Sequence, residues 1–456
     1  MVGGASSGLR LDWQANERDV VTFDGGYIRS AAGRKDFRPI VASPFVITNV
    51  ETETSDAGHA LTRWRHEESK DSSWVLQTYW DHVARKGDQG YIDIRWDTFD
   101  VDFQHQLLLG DRQKIVYGAN YRYVDMFLNG SKPDGGFQLS FADARRHRNL
   151  FSAFAQDQIT LFEDRLILTL GSKFEHNDFT GFEIQPNGRL LWMPTKRQTV
   201  WTAVSRAVRT PFVTEHDVAA TTLQAEAGTG AYPRTTGNSA FVSEELLASE
   251  LGYRTQATDK LSIDIALFYN VYDNLKVFVP GPTFSDSFGA TILPLVIQNG
   301  MFGKTYGVEV AETWQPTGWW RLYGAYTFLQ MQLHSDLALV QSQVIGTEGR
   351  SPNHQVYLRS SWDLPRHVEF DLMGRFVGQL NGFNAGTPTA SIPNVINSHI
   401  SLNARLAWRP SKKLEIAVVG ENLLDTHHPE SGTSTALRAP LVEIERSVYG
   451  KLTWGF

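Results

Sequence analysis

Cysteine is absent from all 456 residues. Disulfides, thiolate metal sites and thiol catalysis are therefore excluded. A long chain without cysteine is compatible with the oxidising cell envelope. Also missing is any apolar run approaching the roughly 18 residues that a membrane helix needs. That excludes a helical membrane protein but not a β-barrel, whose membrane signal is spread over alternate positions. No basic block stands out. The 43 Lys and Arg face 50 Asp and Glu, a net charge of −7, so nucleic acid is not an expected partner. The start, Met1-Val2-Gly3-Gly4-Ala5-Ser6-Ser7, lacks the charged head and apolar centre of a secretory leader. An exported chain with this start is expected to have lost its leader or to begin inside a longer gene product. No Walker-type phosphate loop and no His-Glu-x-x-His occurs. No enzymatic activity, no cofactor and no resident metal are expected.

What the chain does have is alternation. Near the end, Val442, Ile444, Val448, Leu452, Trp454 and Phe456 share one parity, with Arg446 and Gly450 as exceptions. Glu443, Glu445, Ser447, Tyr449, Lys451 and Thr453 hold the other. A period of two is a strand with one apolar and one polar face. It runs for about fifteen residues, long for a soluble sandwich and right for a tilted membrane strand. The pattern recurs. Ser401, Asn403 and Arg405 alternate with Leu402, Ala404, Leu406 and Trp408; Leu414, Ile416 and Val418 with Glu415, Ala417 and Val419; Val368, Phe370 and Leu372 with Glu369 and Asp371; Leu261, Ile263, Ile265 and Leu267 with Ser262, Asp264 and Ala266. The charged face suits a wet lumen and the apolar face suits lipid.

The connections sort into two kinds. Short turns include Arg409-Pro410-Ser411-Lys412, Leu364-Pro365-Arg366, Gln315-Pro316-Thr317-Gly318, Met193-Pro194-Thr195-Lys196 and Phe162-Glu163-Asp164-Arg165. Long polar loops run from Asn129 to His147, Pro211 to Ser243, Pro280 to Lys304, His334 to Ser351, Gln379 to Asn397 and Thr426 to Pro440. The two kinds alternate, as they do in outer-membrane barrels, with short turns in the periplasm and long loops outside. The expected fold is all-β: a transmembrane, antiparallel, up-and-down barrel of about nineteen strands, with residues 1–456 forming one barrel domain. The first and last strands both run towards the short turns.

Five blocks now resemble TonB-dependent outer-membrane receptors of the siderophore and nutrient class. They are Ser205-Arg206-Ala207-Val208-Arg209-Thr210-Pro211, Glu250-Leu251-Gly252-Tyr253-Arg254, Gly303-Lys304-Thr305-Tyr306-Gly307-Val308-Glu309, Gly420-Glu421-Asn422-Leu423-Leu424-Asp425, and the terminal Arg446 to Phe456. They fall in the family's order over the C-terminal half. The resemblance implies a barrel of about 22 strands with a plugged lumen. It also implies an N-terminal plug, a segment touching the TonB–ExbB–ExbD system, and capture of a ferric siderophore or a related scarce nutrient. Nothing here resembles a plug, so the expectation is a barrel lacking its plug and first strands. Such a chain would leave two unpaired edges in lipid. The alternative is a plug-free passive pore or a non-functional remnant. The barrel-assembly machinery and outer-membrane lipid are implied partners. Tyr449, Trp454 and Phe456 are similar to the terminal signal that the machinery reads.

Candidate ligand contacts come from loop chemistry. Arg209 beside Pro211, then Tyr232 and Arg234 in the longest loop, could meet an anionic or aromatic ferric chelate through guanidinium forks and stacking. His427 and His428 sit in the last long loop and would need further partners to hold a metal. Solvated loop side chains are the plainer reading of all five. Asn422 to Asp425 is expected to close a strand at the outer rim, and Gly307 to mark a bend or a tight contact.

Overall fold

The computed structural model describes residues 2–39, 46–87, 93–130, 137–162, 165–222, 230–286, 289–384, 393–430 and 443–455. Phe456 lies outside them. Alternating sequence produces nineteen consecutive strands that pair with their neighbours. They are β1 (Val2–Gln14), β2 (Asp19–Pro39), β3 (Val46–Ser69), β4 (Ser72–Gly87), β5 (Asp93–Leu109), β6 (Gln113–Asn129), β7 (Arg145–Phe162), β8 (Leu166–Asn177), β9 (Gly181–Thr195), β10 (Gln198–Arg209), β11 (Glu244–Thr258), β12 (Leu261–Pro280), β13 (Thr291–Thr317), β14 (Trp320–His334), β15 (His354–Leu364), β16 (Val368–Val377), β17 (His399–Ser411), β18 (Leu414–Glu421) and β19 (Ser447–Trp454). Every ladder between successive strands is antiparallel, as in Val2↔Ala32 to Gln14↔Val20. This fits an environment in which each backbone N–H and C=O must find a partner within the sheet. Among the described residues β1 pairs only with β2, and β19 only with β18.

The two faces differ as the alternation requires. On β5 and β6, Asp100, Asp102, Asn120 and Arg122 share one face. Arg122 Nε donates to Asp100 at 2.9 Å and Asn120 Nδ2 at 3.0 Å. Phe99, Phe103 and Tyr121 share the other, and Tyr121 stacks on Phe151 of β7 at 4.6 Å. On β15 to β18 the polar face carries Arg405, which reaches Glu369, Asp371 and Glu415 at 3.1, 3.2 and 2.8 Å. Leu358, Ile400, Leu406, Trp408 and Val418 are exposed on the outer face. Every tryptophan except Trp80 and Trp96 sits within a few residues of a short turn or of the chain end that meets one. Interfacial indoles collect in this way at a membrane boundary. Gly307 packs where no side chain fits: a Cβ would come 2.0 Å from the Phe328 carbonyl. It is the tight contact expected of that block.

Two expectations change. The stretch from Pro280 to Lys304 is not one loop. β13 begins at Thr291, and its apolar, β-branched start, Ile292 to Ile297, is held by Lys276 to Pro280 and by loop strand Tyr232–Thr236. The terminal alternation also does not form one continuous strand. It breaks at Arg446, whose N–H turns to the Thr426 carbonyl, and Glu443–Glu445 pairs instead with His427–Pro429. Asn422 explains the stop of β18. It takes a left-handed φ of 50°, and its Nδ2 donates to the Ile444 carbonyl at 3.0 Å. Asn accepts that backbone better than most residues.

Buried apolar clusters concentrate at the long-loop rim. Val277, Met301 and Leu333 pack with Val340 and with Val344 of α2 (Gln341–Glu348). Leu139, Val218, Phe241 and Ile297 form a second cluster. Loop strands Phe137–Phe141, Val218–Thr222 and Tyr232–Thr236 extend the sheet there, the last running parallel to β13.

Candidate functional site

Where β10 ends, Pro211 removes a ladder donor and fixes φ, and the chain turns into the short helix α1 (Val213–Asp217). The Phe212 N–H donates to Glu215 Oε2 at 2.9 Å, which caps the turn. Arg209 then grips the same carboxylate with both terminal nitrogens, at 2.9 and 3.0 Å, while its Nε donates to Glu244. Lys276 Nζ from β12 adds a third contact to Glu215 at 2.9 Å. Burial alone would push this carboxyl up. The hydrogen bonds from Arg209, Lys276 and the Phe212 amide outweigh it and hold the group down at about 2. Beside it, burial depresses His216, whose ring meets Phe179 edge-on at 4.6 Å. The Arg209 fork is thus engaged by two carboxylates that anchor the longest loop.

Below α1 lies a cavity of ≈ 570 Å³. Its walls include Tyr79, Trp96, Arg122, Arg148, Phe179 and Phe212. Trp96 shares a parity with Asp100, and Arg148 is register-paired with Val124, so the cavity opens on the charged, lumenal face. Arg122 is neutralised by Asp100. Arg148 is different. Its guanidinium lies 4.1 Å over the Phe179 ring, and its buried Nε meets no hydrogen-bond acceptor. Neighbouring Arg146, by contrast, is paired with Asp217. A cavity combining flat rings with an under-satisfied cation is suited to a planar anionic ligand. A second groove, ≈ 450 Å³, is lined by Leu166, Trp192, Val200 and Leu251, and it belongs to the apolar outer face near the short turns.

The other sequence candidates are dispersed, most of them along the same rim. Arg234 Nε donates to Thr221 Oγ1 at 2.7 Å, and the guanidinium reaches towards Asp286 and the Phe284 ring. It ties two loops together. Tyr232 starts the strand that pairs in parallel with β13. The adjacent histidines part company: His427 is exposed beside Glu443, whereas the His428 side chain is 7% exposed and stacks on His399. Tyr449 donates to Glu421 at 3.2 Å on the outer part of the sheet, and Trp454 is opposite Leu414 at the short-turn rim. One Gly-x-Ser-x-Gly spacing exists, Gly4 to Gly8. It runs inside β1 with Ser6 opposite Ile28, where the sharp strand-to-helix turn of a nucleophile elbow cannot form.

Sequence reasoning missed Arg148, Glu215 and His399. Arg148 lies in the Arg-rich run Arg145-Arg146-His147-Arg148, which could have flagged a cationic site. The other two are single residues with no local signal.

Comparison with known proteins agrees with this architecture. A comparison with curated protein sequences finds no match. Among solved structures, a double mutant of the ferric enterobactin receptor of Pseudomonas aeruginosa superposes with a TM-score of 0.76 at 16% identity, covering 100% of this chain and 70% of that one. The ferric-catecholate import receptor Fiu of E. coli K12 gives 0.71 at 13% identity, covering 100% and 75%. The FrpB iron transporter of Neisseria meningitidis gives 0.72 at 12% identity, covering 99% and 72%. At such identities these likenesses speak for the fold. The family described as TonB dependent receptor-like, beta-barrel, matches residues 4–423. The chain is therefore an outer-membrane β-barrel and belongs to the TonB-dependent receptor family.

Proposed function

We propose that this chain is the barrel of a TonB-dependent receptor that captures a ferric siderophore or a related scarce, anionic nutrient at its long-loop mouth. The observation that carries the reading is Arg148, a half-buried cation whose Nε is buried and unanswered, facing an aromatic-lined lumenal cavity under α1. Structures with a similar fold include a ferric enterobactin receptor mutant described in complex with enterobactin, which supports a ferric catecholate as the first ligand to try. Residues 1–456 act as one barrel unit. Arg209 and Arg234 contribute by holding the loops in place, and Tyr232 lies on the same loop. In this reading the chain catalyses no covalent reaction. Tyr449, Trp454 and Phe456 serve the barrel-assembly machinery, and TonB acts only through a plug.

The test is fluorescence quenching of the purified barrel by ferric enterobactin, with ferric hydroxamate and ferric citrate as comparators. Saturable quenching by one of them, weakened at least about tenfold by Arg148→Ala, is the expected result. No binding by any of the three overturns the reading. The alternative, a passive pore, predicts large, ligand-independent conductance across a planar bilayer. Conductance that the bound chelate blocks favours the receptor.

A further inference from the structure

Two imidazoles and one carboxylate converge at the long-loop rim, apart from the cavity under α1. His399 opens β17 and shares the parity of Ser401, Asn403 and Arg405, which is that of the charged face. Its side chain is 9% exposed and that of His428 is 7% exposed. The rings stack with centroids 4.2 Å apart. Glu430 Oε1 lies 3.8 Å from His399 Nε2 and 3.7 Å from His428 Nε2, too far for hydrogen bonds. All four ring nitrogens lack a hydrogen-bond partner; the Asn397 backbone lies near His399 without completing one. A buried polar group left this way is unfavourable, so the arrangement wants an occupant. One donor atom from each of the three residues falls within 4.8 Å of the others.

We infer that His399, His428 and Glu430 form a site for a divalent late-transition-metal ion of the Zn²⁺ type. Bonds of about 2.0–2.2 Å at tetrahedral angles place ligand atoms about 3.3 Å apart, so Glu430, at 3.7 and 3.8 Å, must close by a few tenths of an ångström, and the donor set as a whole, within 4.8 Å, must contract by up to about 1.5 Å. Two imidazoles and one carboxylate select Zn²⁺, Cu²⁺ or Ni²⁺ over Ca²⁺ or Mg²⁺, which prefer oxygen donors alone. Asp425 Oδ2, 3.7 Å from His428 Nδ1, is placed to orient that ring once Nε2 binds the ion. Arg375, 3.3 Å from Glu430, competes for the same carboxylate and keeps the affinity moderate. Three protein donors leave a fourth position for water or an incoming ligand. The ion would pin the last long loop, through its strand His427–Pro429, to the first residue of β17. This inference does not depend on which nutrient the receptor takes.

The experiment uses the full chain in detergent, stripped with EDTA and titrated with Zn²⁺ alone by calorimetry, then with Co²⁺ by absorption. The expected result is one Zn²⁺ per chain and intense visible Co²⁺ bands of low-coordinate geometry. His428→Ala and His399→Ala should each weaken Zn²⁺ at least about tenfold, and His367→Ala, at a short turn, should change nothing. Glu430→Gln, on a partly exposed side chain that threatens the fold least, should also weaken it. Binding that survives both His428→Ala and Glu430→Gln, weak octahedral Co²⁺ bands alone, or no wild-type binding would each overturn the proposal.

Discussion

The spanning sheet and the long-loop rim are stabilised by different means. The sheet is held by an unbroken succession of backbone ladders, with apolar side chains outward and charges inward. Its information is periodic and local. The rim has the apolar clusters, the anchored carboxylate of Glu215 and two loops stitched by Arg234. Its contacts join residues far apart in sequence. A barrel in lipid has no dry core to organise it, so it stores globular packing where the chain leaves the membrane.

The largest effect should come from breaking the face rule of the sheet. Leu251→Arg on the outer face is expected to cost about 2–4 kcal/mol, while Glu250→Arg next to it, on the lumenal face, should cost under about 1 kcal/mol; urea titration of the barrel in lipid measures both. If the two cost the same, the division into lipid and lumenal faces is wrong. Next comes the rim. Glu215→Gln should loosen α1 and strand Val218–Thr222 by roughly 2 kcal/mol, discounted because Arg209 and Lys276 are partly exposed, and leave the spanning ladders intact. Faster amide exchange confined to residues 213–222 is the readout.

Acid sharpens the contrast further. The Glu215 carboxyl is held at about 2 against an ordinary 4.5. Its contribution is therefore complete above pH 4.5 and is lost as pH falls from there towards 2. His216 is depressed below 6.5 by burial, so the neutral ring suits the fold and stability drops as pH falls below 6.5. Proteolysis of the loop from 210 to 243 should accelerate on acidification in two steps, first as His216 is forced to take up a proton and then, below pH 4.5, as Glu215 does, while the sheet stays resistant. The smallest effect is expected from Trp192→Ala near a short turn, about 1 kcal/mol, seen as a lower temperature of barrel unfolding in detergent.

Legibility follows the same division. Alternation such as Ser401, Asn403 and Arg405 against Leu402, Leu406 and Trp408 gave away strands, faces and turns, because a strand's period is written in adjacent residues. Gly307 and Asn422 could be read because each answers a local backbone demand. The rim could not. The partners of Glu215 include Lys276, 61 positions away, and His428 meets His399 across 29 positions, distances over which one sequence carries no register. The start of β13 was hidden because a Gly- and Pro-containing polar flank resembles loop until its parallel partner, Tyr232–Thr236, is seen.

That parallel ladder has a mechanical consequence. Strand Tyr232–Thr236 is bonded to β13 on one side and to Val218–Thr222 on the other, and the latter is bonded to Phe137–Phe141. Three short strands from two different loops therefore form one plate hung from a single spanning strand. None of them can swing over the mouth alone without stripping a row of hydrogen bonds. Whatever opens or shuts this entrance moves it as a door with one hinge, and stiffness in β13 is felt by every loop on that side.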